Sequence, residues 1–444
     1  YNAVLVMCPT HVLALRAVGL LFQSQGLLTE AAAAFKRALD SEPNEPTTRE
    51  RLAATLTDLG TRVKMLGSPA EAIARYQEAS AVDNTYAPAF YNLGVALAEQ
   101  GMNDDAMECY GAAIRLNPNH AEAHCNIGVL RKHHADLSGA IAAYETCLRV
   151  SPNHQLGRAN LSIALGDRAT AMKGEGDIRG AIREYERALV NDPNNAEAMY
   201  NLGVAQAEVG EIDKAMIAYE CTLRMRPNCA EAWNNLGVLH REKNNVERAV
   251  ECYLRAVAIN PNFAQPLNNV GVVYTIQGLA RAALEVLQRS VAVAPAYAVA
   301  HNNLGVLLRD TGDIPEALEA YRECARHSAD HRNAEQNYLL SLNYIHQGES
   351  PEVCGAHVAW GQRFQHLQGE MLPRRRYIAA SDLGAGEEVV VVDGDGDGDG
   401  DGGGGFGGKN GGGDFHLNNN DGCEVGIGLR GEDHDEEEED EDER

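Results

Sequence analysis

One pattern returns along this chain at an interval of 34 residues, and that interval constrains the fold more than any single residue does. An Asn-Leu-Gly triplet or a close variant places its third residue at Gly94, Gly128, Ser162, Gly203, Gly237, Gly271 and Gly305, and the frame extends back to Ala53 and Gly19. Twelve positions beyond most of these stands an alanine, at Ala31, Ala106, Ala140, Ala215, Ala249, Ala283 and Ala317. Four residues later comes an aromatic, at Phe35, Tyr110, Tyr144, Tyr219, Tyr253 and Tyr321, with Leu287 as the exception. A unit this short cannot bury its apolar face alone, so neighbouring units must stack and share one continuous core.

The pattern resembles the tetratricopeptide repeat, two antiparallel helices per unit. The expected fold is all-α: a right-handed tetratricopeptide-repeat superhelical solenoid over residues 1–346, with about nine full units and a degenerate tenth. A capping helix and connector should follow over 347–383, and a disordered Gly/Asp-rich acidic tail over 384–444. The unit at 87–120 shows how one period folds. Pro88 suits a first helical turn, and Leu93, Ala96 and Leu97 recur at helical spacing. Gly94 lies inside this helix despite a propensity cost of about 1 kcal/mol, which a close approach of the paired helix would offset. Gly101 and Asn103 break the first helix, Asp105 to Leu116 form the second, and Asn117-Pro118-Asn119 ends it. In the tenth unit Pro351 stands where Ala belongs, so a capping helix is expected from there through Val358, Ala359 and Phe364.

Two intervals are longer. Ala53 to Gly94 and Ser162 to Gly203 each span 41 residues, and the surplus of seven is close to two helical turns. The related strings Leu59-Gly60-Thr61-Arg62-Val63-Lys64 and Leu165-Gly166-Asp167-Arg168-Ala169-Thr170 mark matched insertions, expected to protrude as ridges.

Charge separates the tail from the repeats. Residues 381–444 hold 22 acidic and 3 basic side chains, whereas the preceding 380 hold 42 and 35. No sustained basic stripe appears, so nucleic acid is not an expected partner. Arg374, Arg375 and Arg376 read as a solvated linker. No apolar run approaches the roughly 20 residues of a membrane span. The Asp/Gly alternation from Asp393 to Asp401 lacks the spaced glutamate of a calcium-binding loop. The ten cysteines follow repeat positions, with Cys147 and Cys324 in the slot held elsewhere by Ala113, Ala188 and Ala256, and no CxxC pair marks structural zinc. Reduced thiols are expected. His133-His134 and His327 with His331 lack a convergent constellation of ligands, so no metal is expected. No catalytic motif stands in a strand-to-helix setting, so no catalytic residue is expected. The chain begins at Tyr1 rather than Met, from which a missing or processed upstream boundary is expected.

The most regular polar feature is a row of asparagines. Asn92, Asn126, Asn160, Asn201, Asn235, Asn269, Asn303 and Asn337 occupy one position, two residues before the Gly or its substitute. Asn is a middling helix former, so eight copies in one register need a reason. The amides can bond the neighbouring repeat and set its stacking. Alternatively they can line a concave wall and hold the backbone of an extended polypeptide, since Asn offers both donor and acceptor. Phe90, Met199, Trp233 and Leu267, beside the row, are expected in the core, and His124 and His301 as packed or rim residues.

Several strings resemble a narrower group. Asn234-Asn235-Leu236-Gly237-Val238-Leu239, Asn260-Pro261-Asn262-Phe263-Ala264-Gln265 and Asn268-Asn269-Val270-Gly271-Val272-Val273-Tyr274 are similar to the SPINDLY-type protein O-glycosyltransferases, plant relatives of O-linked N-acetylglucosamine transferases. So are Leu56-Thr57-Asp58-Leu59-Gly60-Thr61, Arg332-Asn333-Ala334 and Asn343-Tyr344-Ile345, and His357, Trp360, Gly361 and Phe364 resemble that family's connector. The resemblance implies an asparagine ladder holding flexible segments of intracellular proteins, a nuclear and cytoplasmic setting, and a role in gibberellin signalling. In the complete enzyme it implies a C-terminal two-lobed glycosyltransferase using GDP-fucose or UDP-N-acetylglucosamine. Beyond Asp382 no residue here matches that region, so this chain is expected to bind no cofactor and to transfer no sugar itself. The alternative is a non-catalytic assembly scaffold that associates with other proteins and pairs with a second copy through the repeats.

Overall fold

A computed structural model describes residues 6–328, 332–345 and 351–363. His331, Phe364, residues 374–382 and the acidic tail, for which the sequence raised expectations, lie outside the described residues. The chain divides into two compact units, Tyr1–Pro261 and Asn262–Arg444, and each is taken by itself.

In the first unit the helices pair as α1 (Val12–Ser24) with α2 (Leu28–Ser41), α3 (Pro46–Met65) with α4 (Pro69–Val82), and α5 (Ala87–Glu99) with α6 (Asn103–Leu116). They continue as α7 (Ala121–His133) with α8 (Leu137–Val150), α9 (Gln155–Gly174) with α10 (Ile178–Asn191), α11 (Ala196–Glu208) with α12 (Ile212–Met225), and α13 (Ala230–Glu242) with α14 (Val246–Ile259). The second unit holds α15 (Ala264–Ile276) with α16 (Ala280–Val293), α17 (Ala298–Thr311) with α18 (Ile314–His327), then α19 (Arg332–Ile345) and α20 (Pro351–Arg363). Each unit is an all-α stack of helical hairpins.

The expected glycine column is where the two helices of a hairpin touch. A Cβ built on Gly94 would stand 2.8 Å from the Tyr110 ring, and one on Gly128 only 2.5 Å from Tyr144. The aromatic is sealed by this contact: Tyr110 is 2% exposed and Tyr144 1%. The alanines of the second helix, Ala106 and Ala140, are fully buried beside them. Sixteen residues therefore separate a gap from the ring that fills it, a spacing the helix geometry imposes on every hairpin.

That spacing corrects the register of the long helices. The partner of Tyr76 is Gly60, 2.8 Å from its ring, and not Ala53. By the same offset the partner of Tyr185 is Ala169, itself fully buried, and Gly166, matched to Gly60 by string similarity, has open space at its Cβ. Thr61 and Thr170 then become equivalent, and each hydroxyl meets a tyrosine hydroxyl, at 3.0 Å to Tyr76 and 2.8 Å to Tyr185. Ala53 and Ser162 are buried too, because the added turns of α3 and α9 pack inward. One face of each added segment is buried, at Leu56, Thr57, Leu165 and Ala169, and the other is exposed, at Thr61, Arg62, Thr170 and Ala171, with Met65 and Leu66 exposed at the end of α3. Matched bridges, Lys64 to Glu99 at 2.6 Å and Lys173 to Glu208 at 2.7 Å, tie each long helix to the first helix of the next hairpin.

The turn inside each hairpin reverses through one left-handed residue. Gly101 adopts φ 77, and the same position is held by Ala135 and Asn244 at φ 60. Asn103, expected as a breaker, begins α6 instead. An L-residue in that region costs about 1–2 kcal/mol, less for Asn, whose side chain bonds locally. Ala135→Gly should therefore stabilise the protein by about 0.5–1 kcal/mol net of unfolded-chain entropy, read as a higher urea midpoint with an unchanged slope.

In the second unit the helix expected from Pro351 forms as α20. Its Val353, 3% exposed, packs against Leu318 and Leu342, while Val358 and Ala359 face outward.

Candidate functional site

The asparagine row falls on the first helix of each hairpin. Seven of its members are half-buried and Asn269 is 7% exposed. Their amides reach chiefly one kind of partner. In the first unit Asn160 Nδ2 donates to Cys125 Sγ at 3.7 Å and Asn235 Nδ2 to the Tyr200 hydroxyl at 3.2 Å. Asn126 lies in hydrogen-bonding reach of the Tyr91 and Tyr110 hydroxyls. In the second unit Asn303 Nδ2 donates to Asn268 Oδ1 at 2.9 Å, and Asn337 Nδ2 to Asn302 Oδ1 at 3.2 Å.

The inter-repeat acceptors Tyr91, Cys125, Tyr200, Asn268 and Asn302 share one column, the residue just before the asparagine of the preceding repeat. The row is thus half of a two-column ladder. Sequence reasoning missed the second column, although its run of oxygen- and sulfur-bearing side chains was a visible signal. Burial pushes the Tyr200 phenol up to about 12, so it stays protonated and can accept from Asn235 while keeping its own hydrogen. Asn92 differs: it donates to Pro88 O in its own helix at 2.9 Å.

In two repeats the columns also bond each other. Asn234 Nδ2 donates to Asn235 Oδ1 at 3.3 Å, and Asn302 Nδ2 to Asn303 Oδ1 at 3.5 Å. Arg309 Nη1 donates to Asn337 Oδ1 at 3.4 Å. In the long helices the residue two before the gap is an acid rather than an amide. Asp167 bonds Lys132 at 2.7 Å, and burial raises the Asp58 carboxyl above its usual range. Such a surface offers amide and carboxyl groups at helical intervals, which suits recognition of backbone rather than covalent chemistry.

Of the four flanking residues expected in the core, Leu267 is buried, and Phe90, Met199 and Trp233 are half-buried. Trp233 Nε1 donates to Pro227 O at 3.0 Å, and the Arg255 guanidinium stands 5.9 Å from its ring. His124 and His301 occupy the same position and bond Pro118 O at 3.0 Å and Pro295 O at 2.9 Å, which makes them rim residues tied to the preceding turn. Elsewhere His134 lies 3.6 Å from Asp104, and His327 stacks on His301 at 6.0 Å. The nine described cysteines are free thiols. Among the described residues no helix is long and apolar enough to cross a membrane.

Comparisons agree with this architecture. Tetratricopeptide-repeat family profiles match residues 87–120, 121–154, 196–229, 230–263 and 262–330, and a further TPR repeat profile matches 66–101 and 175–210. A protein of Hordeum vulgare described as "Probable UDP-N-acetylglucosamine--peptide N-acetylglucosaminyltransferase SPINDLY" is 44% identical over 91 residues, 20% of this chain. A protein of Oryza sativa subsp. japonica with the same description is 56% identical over 50 residues, covering 11% of this chain and 5% of that protein. The match spans only 10% of the length of the barley protein. The crystal structure of MamA is 25% identical over 36% of this chain and 94% of its own, with a TM-score of 0.33. The chain therefore carries an all-α tetratricopeptide-repeat region with partial sequence similarity to plant SPINDLY-type proteins.

Proposed function

We propose that the repeats bind flexible segments of partner proteins, with Asn92, Asn126, Asn160, Asn201, Asn235, Asn269, Asn303 and Asn337 contacting the bound backbone. The observation that carries this reading is the two-column ladder, whose amides recur at one position in eight repeats, seven of them half-buried. Amides already tied to a neighbour are held in one orientation, so little side-chain entropy remains to be lost when a peptide binds. In the setting of a SPINDLY-type protein, the bound segments would be Ser/Thr-containing substrates in the nucleus and cytoplasm. There they would be presented to a glycosyltransferase using GDP-fucose or UDP-N-acetylglucosamine, within hormone signalling. The contribution of the repeats is effective concentration rather than bond chemistry. The exposed Met65 and Leu66 favour a second reading, an assembly scaffold that self-associates or docks other proteins through the projecting end of α3.

The test replaces Asn92, Asn126, Asn160 and Asn201 by Ala together. Binding of a panel of unstructured Ser/Thr-containing peptides is then followed by fluorescence anisotropy, beside thermal unfolding. A neutral hydrogen bond contributes about 1 kcal/mol, so the melting midpoint should fall modestly while binding weakens at least tenfold. Unchanged binding with an intact fold rejects the amide row. Sedimentation of Met65→Ser/Leu66→Ser then tests the second reading in its self-associating form, which requires a loss of self-association.

A further inference from the structure

Where three consecutive helices of the first unit meet, Cys125 on α7, Cys147 on α8 and His154 at the N-cap of α9 bring two sulfurs and an imidazole nitrogen within 4.8 Å of one another. The thiols are 3% and 0% exposed, and His154 is half-buried. Spacings of 22 and 7 residues conceal this group from any motif search. The fold assembles it from three separate repeat columns. Cys147 takes the slot of Ala113, Ala188 and Ala256, Cys125 takes the column of Tyr91 and Tyr200, and His154 takes the capping position of His120 and Asn195. Among the described residues no other repeat brings such ligands together.

We propose that Cys125, Cys147 and His154 form a zinc site that clamps α7, α8 and α9 to one another. Two thiolates and an imidazole are the ligand set zinc prefers, and no hard carboxylate in the group points to calcium or magnesium. Zinc–sulfur bonds of about 2.3 Å set two sulfurs about 3.8 Å apart in a tetrahedron, a small contraction from the observed spread. Two further contacts prepare the site. Asn160 Nδ2 stands 3.7 Å from Cys125 Sγ, an N–H that favours the thiolate. Gly157 leaves room, because a Cβ there would stand 3.1 Å from both Cys147 Sγ and His154 Nδ1.

Loading is a ligand exchange without redox change. Each thiol releases its proton to solvent, Zn²⁺ takes both thiolates and the neutral imidazole, and water completes the tetrahedron. His154 Nδ1 now accepts Gly157 N–H at 2.9 Å, and coordination through that nitrogen gives up this cap bond. Metal also has to displace protons held tightly by burial, which pushes the Cys147 thiol up to about 12 with help from Cys125 and Glu122.

The test adds Co²⁺, a visible stand-in for Zn²⁺, to the reduced full chain without oxygen. One equivalent should give sulfur-to-cobalt charge transfer and the intense visible bands of a tetrahedral ion, and Zn²⁺ should bleach them. Cys147→Ala places in the slot what three other repeats already have there, so it should keep the helical circular dichroism and lose the bands. His154→Asn retains a capping side chain, as at Asn195, and should weaken Co²⁺ binding at least tenfold and shift the visible bands. Cys221→Ala should change nothing. Absent charge transfer in the natural chain overturns the proposal. So do bands that survive Cys147→Ala, or His154→Asn with natural affinity and spectrum.

Discussion

Tyr110→Ala should lower the stability of the first unit by about 3–5 kcal/mol, the range for removing a buried aromatic from a core that relaxes only partly. The ring is 2% exposed and lies in a cluster with Tyr76, Leu93, Ala96, Leu97 and Ala106. Its neighbours include the Tyr91 ring at 5.9 Å, tilted by 45°. No other side chain in that hairpin fills the gap left over Gly94, so the vacated volume stays largely empty. Urea unfolding followed by circular dichroism measures the loss. Hydrogen exchange adds a spatial readout. Stability in a stacked array is a sum of unit and nearest-neighbour contributions, so amides of α5 and α6 should lose protection first and those of α12 least. Equal loss along the whole unit would mean that the hairpin is not the unit of cooperativity. Tyr110→Phe keeps the ring and sheds only the hydroxyl near Asn126, so its cost should stay near 1 kcal/mol.

The same gap-and-ring geometry explains how far the sequence could be read. Helix pairs, turn positions and the buried alanine column all follow from a 34-residue pattern, because each records a steric demand that local residues must meet. The long helices defeated that reading for a physical reason. Seven residues rotate a helix by almost two full turns, so Ala53 and Gly60 lie on nearly the same face, as do Ser162 and Ala169. Periodicity cannot say which of the two meets its own hairpin partner. Only the sixteen-residue distance to Tyr76 and Tyr185 does, and it selects Gly60 and Ala169. The asparagine row was legible as a column, and bonding to the neighbouring repeat was one of its two expected roles, but the individual partners were not legible. The partners of Asn235 and Asn303 sit 35 residues earlier, across a repeat boundary that no helical pattern within one unit encodes. The Cys125–Cys147–His154 group was hidden more deeply, since its members belong to three columns that look unrelated in the chain.

Gly94→Val should cost about 3 kcal/mol or more, although Val is a somewhat better helix former than Gly. Its Cβ would stand 2.8 and 2.9 Å from two carbons of the Tyr110 ring and 3.2 Å from the Ala106 carbonyl oxygen. The ring is sealed and cannot swing away, and the carbonyl belongs to the backbone of α6, so the two helices must separate. Separation weakens every contact along the hairpin, which is why the penalty exceeds that of one misplaced methyl group. Thermal and urea melts give the size of the loss, and the double variant identifies its cause. Combined with Tyr110→Ala, the valine enters space that the missing ring vacates. The pair should then destabilise by at least 1 kcal/mol less than the two single losses added together, a coupling within the range seen for residues in direct contact. At Gly60→Ala the outcome should be milder. Ala169 occupies the equivalent position against Tyr185 in the other long helix, so a long hairpin accommodates one Cβ there. Additive losses at Gly94 and Tyr110 would show that the glycine is needed for something other than the ring, and the close-approach account of the repeat would fail at that point.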